Sequence, residues 1–109
     1  MAVRVLIVDD DAEFRRIVGS ALVDRGYEIA GESATLAEAR NAIRASRPDA
    51  VLLDINLPDG SGIALADELA ATNRPLRVLL TSSDAAAAGA SPFLDKADLL
   101  TADLARYLG

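Results

Sequence analysis

Five short apolar runs punctuate the chain, and all but the fourth are followed by a segment whose apolar residues recur every three or four positions. Val3-Arg4-Val5-Leu6-Ile7-Val8 is rich in β-branched residues and stops at three aspartates, which reads as a buried strand. From Asp11 the period lengthens. Phe14, Ile17, Val18, Ala21 and Leu22 predict an amphipathic helix that stops near Gly26. Tyr27–Gly31 reads as a second strand. Thr35 and Glu38 form a T-x-x-E capping box, and Leu36, Ala39 and Ile43 supply the buried stripe of the helix they start, which ends around Pro48. Ala50-Val51-Leu52-Leu53 is a third strand, halted at Asp54. Past a loop with Pro58, Gly60 and Gly62, the residues Ile63, Ala66, Leu69 and Ala70 mark a third helix. Pro75 precedes a fourth strand, Leu76–Leu80, which runs into Thr81-Ser82-Ser83. Phe93-Leu94 is a short fifth strand ending near Lys96, and Asp98 is placed to cap a last helix carrying Leu99, Leu100, Leu104 and Leu108.

Strands that are apolar throughout and alternate with amphipathic helices require a parallel sheet covered on both faces, an α/β architecture. No linker, repeat or low-complexity tract interrupts the 109 residues, so residues 1–109 are expected to form one domain. Composition narrows the chemistry. The formal net charge is −6 and there is no basic cluster, which argues against direct nucleic-acid binding. The chain has no cysteine and no histidine, which excludes disulfides, Cys-ligated zinc and any imidazole base. If phosphohistidine is involved, another molecule carries it. No apolar run approaches the roughly 18 residues of a membrane span. The start, Met1-Ala2-Val3-Arg4, lacks the apolar core of a signal peptide, so a cytoplasmic location is expected.

In an open α/β sheet, ligands bind beyond the carboxyl ends of the strands. The first strand delivers Asp9, Asp10 and Asp11 there, the third Asp54, the fourth Thr81, Ser82 and Ser83, and the fifth Lys96. If the first and third strands are neighbours, Asp9, Asp10 and Asp54 converge, and three carboxylates so close repel one another. A hard divalent cation relieves that repulsion. Mg²⁺ takes a few carboxylates, keeps several waters and completes its shell with phosphate oxygen. Lys96 adds a compact positive charge and Thr81 a hydroxyl donor. A carboxylate nucleophile, Mg²⁺, an ammonium and a hydroxyl together make a phosphoryl-transfer site.

The segments VLIVDDD, VLLDINLPDGSG, VLLTSSD and FLDK, in that order and each at a strand end, resemble the receiver domain of two-component response regulators (the CheY-like superfamily) over essentially the whole chain. Gly31-Glu32-Ser33-Ala34, and a Lys96 followed by alanine rather than proline, look most like the NarL-type branch. The resemblance implies a flavodoxin-like, doubly wound five-stranded sheet of order 2-1-3-4-5. It also implies that Asp54 accepts a phosphoryl group from a sensor histidine kinase or a histidine phosphotransfer protein. Asp9 and Asp10 would hold Mg²⁺ with Asp54 and the backbone carbonyl of Asn56, Asp10 being a direct ligand. Lys96 would pair with the phosphoryl group, and Thr81 would bond it and reorient as a switch. Asn56 and Ser82 would contribute backbone contacts to it. Phe93 takes the place of the rotating aromatic residue.

Single residues also have plainer readings. Asp11 is best read as a helix-capping acid. Gly60 and Gly62 read as turn glycines, because no glycine-rich phosphate-binding signature ending in Gly-Lys is present. Asp54 has no such alternative, since it closes an apolar strand and precedes Ile55. Only 14 residues separate Thr81 from Lys96. That is short of the family's usual interval by about two helical turns, so helix four is expected to be absent or vestigial. Apolar surface left uncovered on the fourth and fifth strands would then invite a partner, a second copy forming a homodimer included. Two rivals stand beside the receiver reading. Asp9-x-Asp11 echoes the nucleophile motif of haloacid-dehalogenase-type phosphatases, and the fold can also serve as a phosphorylation-independent interaction module. As a receiver, the chain would catalyse only its own phosphorylation and dephosphorylation and would not be a turnover enzyme. NarL-type receivers usually precede a DNA-binding domain, so both a stand-alone receiver and the receiver part of a longer protein fit a sequence ending at Gly109.

Overall fold

The apolar runs become strands because their side chains have a helix layer to meet on each side. The structure, a computed structural model, describes residues 2–72, 76–82, 93–96 and 98–109, with Phe93 described through its backbone. In chain order the elements are β1 (Arg4–Val8), α1 (Ala12–Asp24), β2 (Glu28–Ser33), α2 (Leu36–Ser46), β3 (Ala50–Asp54), β4 (Asn56–Leu57), β5 (Gly60–Ser61), α3 (Gly62–Ala70), β6 (Arg77–Ser82), β7 (Phe93–Asp95) and α4 (Ala105–Leu108). The main sheet is parallel with order β2-β1-β3-β6-β7. With the small ribbon β4-β5 set aside, this is the expected 2-1-3-4-5 order. That ribbon, Asn56 opposite Ser61 and Leu57 opposite Gly60, replaces what the sequence suggested was an open loop.

The central strands carry the core. All five residues of β3 are buried, as are four of the five in β1. Alternation along the strands sends Leu6, Val8, Val51, Leu53 and Leu80 to one face, against α2 and α3. Val5, Ile7, Leu52 and Leu79 go to the other, against Val18 and Leu22 of α1 and Leu99, Leu104 and Leu108 of the C-terminal segment. Each buried leucine or valine is worth about 1.5–3 kcal/mol, so this sandwich fixes the strand ends that carry the polar residues.

Local sequence sets the element boundaries. Asp11 caps α1, accepting hydrogen bonds from the amides of Glu13 and Phe14 at 3.0 and 3.2 Å. Gly26, at φ +93°, lies just past its C-terminal end. Thr35 caps α2 through the Glu38 amide, and Glu38 answers through the Ala34 amide. Ser61 caps α3 through the Ile63 amide. Strand β2 begins and ends slightly later than the sequence suggested, and its register against β1 steps over Ala30.

Three stripe residues are corrected. Ile17 is 41% exposed and Leu100 42%, and Ala70 also faces out, while Leu65 takes the buried place on α3. Asp98 does not cap a long last helix. Its carbonyl closes a turn with the amides of Thr101 and Ala102, and the helix proper spans only Ala105–Leu108. Asp103 and Leu104 lie between, so Leu99 and Leu104 reach the core from an irregular segment and only Leu108 from the helix. The expected absence of helix four falls on residues 83–92, which lie outside the described residues.

Candidate functional site

Three strand ends and one loop bring the predicted residues together. Strand β1 ends where Asp9 donates its amide to the Ser33 carbonyl (3.0 Å), extending the β1-β2 ladder by one rung. This places Asp9 among the buried residues, at 1% exposure, and leaves Asp10 on the surface. Asp54, the last residue of β3, sits beside Thr81 of β6 in the ladder and is buried at 5% exposure. Asp9, Asp10 and Asp54 each offer a carboxylate oxygen, and these three oxygens all lie within 4.8 Å of one another. Strand β7 hands on to Lys96, whose amide donates to the Ser82 carbonyl at 3.0 Å. The ammonium Nζ then lies 2.6 Å from Asp9 Oδ2 and 3.5 Å from Asp54 Oδ2.

The electrostatics of this pocket are unbalanced. Burial pushes the Asp54 carboxyl above its ordinary pKa, and the Asp9 charge adds to this. The Lys96 ammonium and the Asn56 amide, which donates to Asp54 Oδ1 at 3.3 Å, offset only part of it. Burial works against the Lys96 charge, but Asp9 and Asp54 outweigh it and raise its pKa. Lys96 therefore stays protonated. One ammonium faces three carboxylates. Asp9 Oδ1 accepts the Asp11 amide at 2.9 Å, whereas Asp9 Oδ2 is buried and receives no hydrogen bond among the described residues. Its close partner is the Lys96 ammonium, at ion-pair distance. An all-oxygen set of three carboxylates facing a single ammonium carries surplus negative charge and fits a hard cation. This cluster can hold a metal ion.

Thr81 and Ser82 are both buried, and their carbonyls serve the site's backbone: Thr81 O accepts the Ile55 amide at 2.9 Å and Ser82 O accepts that of Lys96. Asn56 is exposed on β4, two residues after Asp54. The backbone of Phe93 pairs with Leu80, and its side chain lies outside the described residues.

Four contributors were not recognised from sequence. Phe14, read as an ordinary stripe residue, places its ring centroid 4.5 Å from Lys96 Nζ. Arg15 donates to the Asp9 carbonyl at 2.5 Å and to Glu32 at 2.9 Å, tying β1 and β2 to α1. Gly62 does more than turn the chain. A Cβ there would lie 2.1 Å from the Asp54 carbonyl oxygen, so only glycine allows the α3 start to press against the Asp54 backbone. Asp59 accepts the amides of Leu36 and Ala37 at 2.8 and 3.1 Å. The spacing of these residues to the first turn of α1 or to the loop after Asp54 was visible, but their partners depend on the fold.

A family model for the response regulator receiver domain matches residues 5–102. The chain belongs to that family. Among curated relatives, this receiver is 38% identical over 95% of its length to the DNA-binding transcriptional activator DevR/DosR of Mycobacterium tuberculosis, of which it spans 52%. It is 34% identical to the chemotaxis protein CheY of Bacillus subtilis, covering 88% of this chain and 87% of that one. Among solved structures it resembles the signal receiver domain of the NarL response regulator from M. tuberculosis, with TM-score 0.83 and 32% identity, covering 96% of this chain and 95% of that one.

Proposed function

We propose that this receiver accepts a phosphoryl group on Asp54 from the phosphohistidine of a sensor histidine kinase or a histidine phosphotransfer protein. The observation that carries the reading is the buried Asp54 carboxylate lying 3.5 Å from the Lys96 ammonium and within one 4.8 Å cluster with Asp9 and Asp10. Mg²⁺, held by Asp9, Asp10, Asp54 and the Asn56 carbonyl, would neutralise charge on the transferring group and on the acceptor. Desolvation leaves the Asp54 carboxylate poorly solvated and so a better nucleophile. Its oxygen forms the bond to phosphorus as the P–N bond to the donor imidazole breaks, and the donor nitrogen keeps the electron pair. Lys96 pairs with the phosphoryl oxygens, moving from Asp9 Oδ2, and the Thr81 hydroxyl and the backbones of Asn56 and Ser82 bond them. Water then hydrolyses the acyl phosphate, so the chain turns over only its own adduct.

Thr81 lies in β6, one rung from β7, and an added phosphoryl group there biases the β6-β7 edge between two arrangements. Phe93 is the switch residue of this reading. The receiver unit runs over residues 1–109 and works in the cytoplasm; among the described residues no helix is long and apolar enough to cross a membrane. The D-x-D phosphatase reading loses ground because the Asp11 carboxylate is engaged in capping α1.

The test is incubation with Mg²⁺ and acetyl phosphate, read by intact mass. One phosphoryl adduct is expected on the wild type and none on Asp54→Asn. Equal labelling of the two would overturn the assignment. Sustained release of phosphate from an unrelated ester would favour the phosphatase. A protein that neither binds Mg²⁺ nor labels, yet still captures a partner, would be an interaction module.

A further inference from the structure

We propose that Asp59 is a positioning residue for the metal-binding loop, acting as a clamp between the β4-β5 ribbon and the start of α2. The inference rests on the phosphoryl-acceptor reading of Asp54 and concerns how the loop that follows it is held.

The ribbon leaves the site at once. Asn56, whose amide donates to Asp54 Oδ1, is the first residue of β4, and Asp59 lies at the tip between β4 and β5. Its base is closed by Gly62, whose amide donates to the Ile55 carbonyl at 2.7 Å, and by the close approach of Gly62 to the Asp54 carbonyl. Its tip is closed by Asp59 alone among the described hydrogen bonds. Oδ1 accepts the Leu36 amide and Oδ2 the Ala37 amide, across 23 and 22 residues of sequence. Next to it, a Cβ on Gly60 would meet Leu36 Cδ1 at 2.9 Å, so the ribbon lies flat against the first residue of α2.

The division of labour at this helix end is informative. Thr35 already caps α2 locally by accepting the Glu38 amide. The two amides it does not reach go to a carboxylate from another part of the chain. Those two bonds hold the Asp59 carboxyl below its ordinary pKa, so it accepts them as a carboxylate. A two-residue ribbon has almost no stability of its own. Pinned at base and tip, it presents Asn56 in one orientation toward Asp54. Released at the tip, it is free to pivot about Gly62, and the Asn56 amide and carbonyl lose their fixed aim.

The experiment compares two caps of the same helix. Asp59→Ala removes the clamp, while Thr35→Ala removes the local cap and leaves the ribbon attached. MgCl₂ is titrated into each ¹⁵N-labelled protein without phosphodonor, and the amide signals of Asp10, Ile55 and Asn56 report the midpoint. Partners that orient metal ligands at one remove are worth about 10–100-fold in metal affinity, and Asp59 stands one step further out, so a rise of about three- to tenfold is expected for Asp59→Ala. Thr35→Ala should keep the wild-type midpoint even though it also lowers the melting temperature. Asp59→Asn, which keeps one acceptor oxygen, should fall between wild type and Asp59→Ala. Equal midpoints for wild type and Asp59→Ala, or equal shifts in Asp59→Ala and Thr35→Ala, would overturn the proposal while leaving the acceptor reading standing. Absence of any Mg²⁺ response in the wild type would remove the acceptor reading and the clamp's role with it.

Discussion

On one face of the sheet, α2 and α3 both begin with side-chain caps, from Thr35 and Ser61, and the Asp59 carboxylate adds two bonds to the first of them. On the other, α1 is capped by Asp11, but the C-terminal segment it packs beside contains a four-residue helix without any side-chain cap. That segment is held by buried leucines and by the Arg25 guanidinium, which donates to the carbonyls of Leu100 and Ala102. One layer is ordered by hydrogen bonds at helix ends, the other largely by what it buries. The loop after Asp54 leads to the first face, whereas Lys96 leads into the second. The two charges that meet in the pocket are thus supported by different kinds of structure.

If that contrast is right, the largest stability loss should come from a leucine plug. Leu99→Ala empties a fully buried site under a segment whose short helix has no side-chain cap, and about 3 kcal/mol is expected in a denaturant unfolding curve. Gly62→Ala tests the opposite face. Its methyl must displace the Asp54 carbonyl, which should cost about 2 kcal/mol and also slow phosphorylation, since the acceptor's own backbone moves. A variant as stable as wild type would show that α3 can withdraw at no cost. Arg25→Ala should be milder, about 1 kcal/mol, with faster amide exchange confined to residues 98–108.

The smallest effect separates the two charges themselves. The folded state raises the Asp54 pKa, so it binds that proton more tightly than the unfolded chain does. Stability therefore falls as the pH rises from the ordinary aspartate value through the raised one, and Asp54→Asn should melt higher than wild type at neutral pH without metal. Lys96 acts in the same sense, at higher pH. Its raised pKa contributes stability that is complete below the ordinary lysine value and disappears as the pH climbs through the folded value. Melting temperatures of wild type, Asp54→Asn and Lys96→Met across pH 5–11 would check both slopes. Mg²⁺ should raise the wild-type stability by about 1.4 kcal/mol at ten times its dissociation constant and restore nothing in Asp54→Asn, removing the mutant's advantage.

Much of this architecture was legible because strand ends are legible. Asp9, Asp54, Thr81 and Lys96 each terminate an apolar run, and a parallel sheet gathers such ends along one edge. Asp11 and Thr35 were recognised as caps because the motif is local. What escaped was non-local. Nothing within a few residues of Asp59 tells that its partners are the amides of Leu36 and Ala37. Phe14 obeys the same period as Val18, and only the fold sends it over an ammonium. The last helix was overdrawn for a related reason: Leu99, Leu104 and Leu108 do face the core, but for the first two an irregular chain serves that purpose as well as a helix does.

Strand β7 has three residues, and the Lys96 amide hangs from the rung just beyond them. Detaching so short an edge breaks few bonds, so it is the place where the native protein should open most readily without unfolding as a whole. Such an opening would carry the ammonium away while β1 and β3 kept Asp9 and Asp54 side by side, leaving an acid pair with no counter-charge. The solvent-exchange rate of a single backbone proton, that of Lys96, would then report how often the pocket stands electrically bare.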